Sequence, residues 1–307
     1  MMNSKILILG VTASGKGRLA FDLAKVLGGE ILSVDSMKVY RRMDIGTAKP
    51  PPANRQQIPY HMIDILEPSE AFSAGQFLER AISVVGQIHA RGRPVVAVGG
   101  TALYIKAMLY GLFDGPPADA SIRLELHRRA QAEGLQSLYL ELSQVDPEAA
   151  GRIHGNDAKR IVRALEVFRL TGTPISGLQT QFSEDDPQHG WAIVGLRRDR
   201  TEESHRINLR VKRMVDQGLV EEVKGLLAEA KPLSDQARSA IGYAEIISHL
   251  AGQLSLESAV EQVKKNTRRL AKGQRTWFKT FKAVHWLDIP SEEAAGRTLE
   301  RALALIA

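Results

Sequence analysis

Short apolar runs alternate with segments of helical spacing over the first hundred residues. Residues 5–9, 31–34 and 94–98 are leucine- and β-branched-rich, each closed by glycine or aspartate, and are predicted as buried strands. Residues 19–27 repeat apolar positions at helical spacing and stop at Gly28 and Gly29, a helix C-terminal signal. From Gly111 to Gly190 the strand pattern disappears. Helical periodicity covers 122–133, 136–142 and 157–170, flanked by the turn-rich stretches GLFDGPPADAS and GTPISGLQTQFSEDDPQHG. Strands are predicted again at 191–196 and 284–289, with helices between them. The pattern predicts an α/β fold: a parallel sheet core formed by residues 1–111 and 197–307, with a helical insertion at 112–196. Ligands of such sheets bind beyond the carboxyl ends of the strands.

Charge sharpens this division. The net charge of +6 is distributed as +5 over residues 1–111, −4 over 112–196 and +5 over 197–307, as expected for a separate unit set into a basic body. The absence of cysteine excludes disulfides, thiolate zinc sites and cysteine nucleophiles, and fits a cytoplasmic setting. The N-terminal apolar run, residues 6–9, is far short of a signal sequence or membrane span. The eight histidines have no zinc-site spacing, and no obligate protein partner is evident.

GVTASGKG, residues 10–17, lies between the first strand and the first helix and follows the P-loop pattern G-x4-G-K-[ST] up to its last position. Its glycines let the backbone curl so that N–H groups face phosphate oxygens, the helix N-terminus adds partial positive charge, and Lys16 adds a full one. Gly10, Val11, Thr12, Ala13, Ser14, Gly15, Lys16 and Gly17 therefore form the candidate phosphate-binding set. Gly17 replaces the hydroxyl that holds Mg²⁺ in nucleotide-hydrolysing P-loop proteins, so a metal must be held by other groups and by the phosphates. Asp35, at the carboxyl end of the second strand, falls beside this loop. Spacing alone leaves it a general base, a metal ligand, a ribose-binding group or a turn cap.

In chain order the sequence then contains SVDSMKVYRRMDIGTAKP, PYHMIDI, VGGTALYI, NDAKRIVRALEVFRLTG, HRINLRVKRM, AIGYAEII and TRRLAKGQRTWF. With the loop, these collinear pieces resemble the tRNA dimethylallyltransferase family, the bacterial tRNA isopentenyltransferases, over nearly the whole chain. The resemblance implies a P-loop NTPase-like core whose loop grips a prenyl diphosphate. It also implies transfer of the dimethylallyl group from dimethylallyl diphosphate to N6 of the tRNA adenosine 3′ of the anticodon, with Mg²⁺ as cofactor and the anticodon stem-loop as partner. By position, Asp35 is then the general base, Thr101 lies near the acceptor or donor, and Arg206 is a diphosphate ligand, with Arg210 a further candidate. Asp35, Ser36, Met37, Lys38, Thr101 and Arg123 are implied to contact tRNA. The same family reading makes the helix carrying Lys159, Arg160 and Arg163 part of the region that clamps the stem-loop. The chain departs from the family pattern at Val11, Gly17 and Gly273.

Residues 264–282 carry eight basic and no acidic side chains. On a helical wheel, Lys264, Arg268, Lys272, Arg275, Lys279 and Lys282 fall within roughly 80°, Lys265 and Arg269 widen the arc to about 140°, and Leu270, Trp277, Phe278 and Phe281 lie opposite. This predicts a positive stripe for tRNA phosphates, with Arg268 and Lys272 at its centre, and an apolar face for the core. The competing readings are a small-molecule P-loop kinase, in which Asp35 would act on a hydroxyl, a prenyltransferase for free adenine nucleotides, and a catalytically weakened RNA-binding protein.

Overall fold

The computed structural model of the protein describes residues 4–113, 115–179 and 190–306. Six strands, β1 (Lys5–Gly10), β2 (Glu30–Val34), β3 (Tyr60–His61), β4 (Val95–Gly99), β5 (Ala192–Arg197) and β6 (Val284–Asp288), make one all-parallel sheet. Their order is β3-β2-β4-β1-β5-β6. Ile6 to Leu9 are fully buried because β1 lies between β4 and β5 and is covered on both faces. The helix Lys16–Leu27 lays Leu19, Ala20, Leu23 and Ala24 on one of those faces, beside Ala302 and Ile306 of the helix Ala295–Ile306. Gly15 and Gly28, at φ +99° and +63°, bracket the first of these helices. Edge strand β3 has two residues, too short to leave a period in the sequence.

The chain divides into two compact units, residues 1–109 with 186–307 and residues 110–185. This corrects the second boundary expected from the sequence. The strand expected at the end of the insertion 112–196, β5, pairs with β1 from Ile6↔Ala192 to Gly10↔Leu196 and is a strand of the core sheet. Part of the expected exit loop, residues 180–189, lies outside the described residues.

The smaller unit is helical, comprising Ala120–Glu133, Leu135–Val145, Pro147–Arg152, Ala158–Thr171 and Ile175–Leu178. Leu126, Leu138, Leu142, Ile161, Leu165 and Ile175 belong to its core. Asp119, Asp146 and Asp157 each cap a helix by accepting backbone N–H bonds. At its centre the Glu166 carboxylate, fully buried, accepts from Arg123 Nε at 2.8 Å, Arg163 Nη1 at 2.6 Å and the Asp119 N–H at 2.8 Å. Burial works to raise the pKa of Glu166, and these hydrogen bonds outweigh it and hold the carboxyl below its usual range. Glu166→Ala removes the shared partner. Both arginines reach solvent and can be rehydrated, so the expected loss is about 2 kcal/mol, below the figure for a fully buried pair. Urea unfolding, with hydrogen exchange read in the helix Ala158–Thr171, measures it.

Candidate active site

The carboxyl ends of β1, β2, β4 and β5 bring together Gly10, Asp35, Thr101 and Arg198. Close approach there requires glycine: a Cβ on Gly99 would collide with the Val34 carbonyl, and one on Gly100 would come within 2.5 Å of Gln274 Nε2. The VGGT sequence is thus the point where β4 crowds β2 and passes directly to Thr101. Thr101 Oγ1 accepts the Ser36 N–H at 3.0 Å, joining the β4 end to the residue that follows Asp35.

Cations surround the loop. Lys16 Nζ donates to the Val11 carbonyl at 3.2 Å, Arg198 Nε to Ser14 O at 2.9 Å and Arg206 Nε to Ala13 O at 2.9 Å. Arg210 Nη1 donates to Thr12 Oγ1 at 3.2 Å. Burial, then the neighbouring charges of Lys38 and Arg210, lowers the Lys16 pKa to about 7, with Asp35 opposing. Burial likewise lowers Lys38 and Arg210, each again partly offset by Asp35. Three withdrawn cations therefore share one carboxylate, an arrangement with capacity for a multivalent anion.

Asp35 Oδ1 accepts the Met37 N–H at 2.9 Å and the Lys38 N–H at 3.2 Å, so the turn-cap geometry is present. Among the described residues Oδ2 makes no hydrogen bond, and one side chain can both cap the turn and accept a proton. The other carboxylate on β2, Glu30, sits at the opposite strand end. Hydrogen bonds from Arg91, against the cost of burial and with His61 assisting, hold it at about 2, which removes it as a base. DIGTAKP is held rigidly by a network of hydrogen bonds beyond the β2 end. Glu222 accepts the N–H groups of Asp44, Ile45 and Gly46 and the Tyr243 hydroxyl, while Lys49 bonds Asp44, Asp64 and the Tyr40 carbonyl. A Cβ on Gly46 would strike the Tyr243 ring, which ties this segment to AIGYAEII.

Gly17 is exposed, with open space around its missing side chain, so packing does not impose the departure. Among the described residues no group of three or more Asp, Glu, His or Cys could hold a metal. Ser14 Oγ is buried and has no hydrogen-bond partner among the described residues. This donor set fits an Mg²⁺ that would arrive on a phosphate-bearing ligand, since that ion keeps several waters and needs few protein ligands.

The sequence-predicted residues do not all gather here. Arg123 and Arg163 are engaged by Glu166, Arg160 pairs with Asp157 at 3.4 Å, and Lys159 is exposed, all within the helical unit. On the basic helix Leu256–Phe278 the stripe is narrower than the wheel predicts. Arg268 donates to Asn208 at 2.6 Å and Arg275 pairs with buried Glu203, because the helix Arg200–Asp216 packs along that edge. Lys265, Arg269, Lys272 and Lys279 remain exposed. The apolar face also differs: Leu270 is 44% exposed, while Ala271, Gln274 and Phe278 are buried. Sequence reasoning missed Arg198 and Gln274. The first follows a core strand, where ligand residues concentrate, and the second is a polar residue at a core position of the wheel.

No helix among the described residues is long and apolar enough to cross a membrane. The model of the IPP transferase family matches residues 38–281. A tRNA dimethylallyltransferase of Geobacter metallireducens is 46% identical over 287 residues, 94% of this chain and 93% of that protein. The enzyme of the same name from Geobacter sulfurreducens is 46% identical over 93% of this chain and 92% of its own length. Among solved structures, the full-length tRNA isopentenylpyrophosphate transferase of Bacillus halodurans superposes with TM-score 0.73 at 38% identity, covering 98% of this chain and 94% of that one. A eukaryotic dimethylallyltransferase acting on tRNA gives TM-score 0.78 at 27% identity, covering 96% and 77%. The sheet, the loop and these likenesses agree: the chain belongs to the IPP transferase family.

Proposed function

We propose that this chain transfers the dimethylallyl group of dimethylallyl diphosphate to N6 of the tRNA adenosine 3′-adjacent to the anticodon. The observation that carries this reading is the set of withdrawn cations, Lys16, Lys38 and Arg210, gathered at the phosphate loop and facing Asp35. The allylic C–O bond of the donor breaks, the N6–C bond forms, and the amine proton passes to Asp35 Oδ2. Diphosphate leaves with growing negative charge, met by Lys16, Arg206, Arg210 and the N–H groups at the start of the helix Lys16–Leu27. Ser14, the loop's free hydroxyl, would hold Mg²⁺ together with the diphosphate, and the ion would supply charge neutralisation.

The acceptor base leaves the anticodon-loop stack to reach Asp35, as base-modifying enzymes require, and Ser36, Met37, Lys38 and Thr101 line its approach. Lys265, Arg269, Lys272 and Lys279 meet tRNA phosphates, with Arg268 at their edge, which makes tRNA affinity fall steeply with salt. Arg123, Lys159, Arg160 and Arg163 place the helical unit on the stem-loop. A kinase reading lacks support because Gly17 offers no hydroxyl to the metal.

The test uses purified protein with labelled dimethylallyl diphosphate, ATP, AMP and unmodified tRNA. Label is expected in tRNA and absent from AMP; phosphoryl transfer from ATP without prenyl transfer overturns the reading.

A further inference from the structure

Gln274 lies on the buried side of the basic helix, 7% exposed, and both ends of its amide are engaged. Oε1 accepts the Thr12 N–H at 2.8 Å, and Nε2 donates to the Gly100 carbonyl at 2.9 Å. Gly100 leaves the room this needs, since a Cβ there would come within 2.5 Å of Nε2. A methionine would occupy the same volume without the cost of burying an amide, so packing alone does not account for the residue.

The two partners do account for it. Thr12 belongs to the phosphate loop. Gly100 precedes Thr101, whose Oγ1 accepts the N–H of Ser36, next to Asp35. A continuous bonded path therefore runs from the loop that faces the donor, through Gln274 and the Gly100–Thr101 turn, to the strand end that carries the carboxylate. No other described side chain is bonded to both the loop and that turn. The Thr12 N–H is also spent on the amide, which leaves anion binding to the N–H groups further along the loop.

We propose that Gln274 is a positioning residue that sets the separation between the prenyl donor and the acceptor amine by holding the phosphate loop against the β4 end. The proposal rests on the prenyl-transfer reading above. Because Gln274 points away from the exposed basic residues of its own helix, its loss acts on turnover and leaves tRNA binding intact. Misplacement of a reacting group by about 1 Å costs up to about 100-fold in rate.

The experiment compares wild type, Gln274→Met and Gln274→Asn in the full chain with labelled dimethylallyl diphosphate and tRNA. Methionine keeps the length and removes both bonds; asparagine keeps the amide but is one methylene too short to span both partners. Both variants are expected to lose about 10- to 100-fold in kcat, with tRNA Kd within about twofold of wild type. If the methionine variant does not fold, the asparagine variant decides. Unchanged kcat, or a loss that appears in tRNA Kd instead, overturns the proposal while leaving the function standing. A wild type that transfers no label to tRNA overturns the functional reading and this proposal with it.

Discussion

Asp35→Ala and Asp35→Asn are both expected to lower prenyl transfer to tRNA by about 10²–10⁴-fold, the worth of a positioned general base. The asparagine variant is the decisive one. Its side-chain oxygen can still accept from the Met37 and Lys38 N–H groups, so the turn that Asp35 caps is retained while the basic oxygen is lost. Donor affinity should hold or rise in both. Asp35 is the acid whose charge opposes the pKa lowering of Lys16, Lys38 and Arg210, and its removal leaves those cations to the diphosphate alone. Single-turnover transfer and equilibrium donor binding read the two effects separately. Full turnover in Asp35→Asn would reduce Asp35 to a turn cap.

Donor binding is expected to take up a proton above pH 7, and Lys16 is the group responsible. With its pKa lowered to about 7, Lys16 is largely neutral in the free protein at pH 8. A bound diphosphate favours the ammonium form and raises that pKa, so binding draws a proton from solution. The sign follows directly. Affinity is greatest below about pH 7 and falls by up to about tenfold per unit as pH rises, until the pKa of the complex is passed. Calorimetry in two buffers of different ionisation enthalpy counts the proton. Lys16→Met should abolish the uptake and lower donor kcat/KM by about 10²-fold or more, by analogy with the loss of one charge-stabilising donor. Affinity that stays flat between pH 7 and 9 in the wild type would exclude this account.

These two residues were legible in the sequence for the same reason. Both are local to a strand end, and a parallel sheet presents its strand ends together. The five longer strands could be read from apolar runs of four to six residues, whereas the two residues of β3 carry no period. The basic helix was legible only in part. Its wheel separates charge from core, but Arg268 and Arg275 are drawn to Asn208 and Glu203 on a helix some sixty to seventy residues earlier in the chain. Arg123 and Arg163 enter as nucleic-acid contacts through the family resemblance; Arg163 meets Glu166 three residues along its own helix, but that Arg123 shares this partner is not evident until helices separated in sequence are packed.

The loop GVTASGKG announces an anion site because its chemistry is carried by consecutive backbone N–H groups, one lysine and the start of one helix. Those properties are local, and the sequence by itself determined them, together with the α/β alternation and the placement of Asp35 at a strand end. The tertiary structure alone decided that Arg198 joins Arg206 and Arg210 on that loop, that Gln274 bonds it to the Gly100 carbonyl, and which charges on the basic helix stay free for a partner. The physical reason is range. A hydrogen bond between Thr12 and Gln274 spans 262 positions of sequence and 2.8 Å of space, and no periodicity along the chain encodes a contact that only the completed sheet brings within reach.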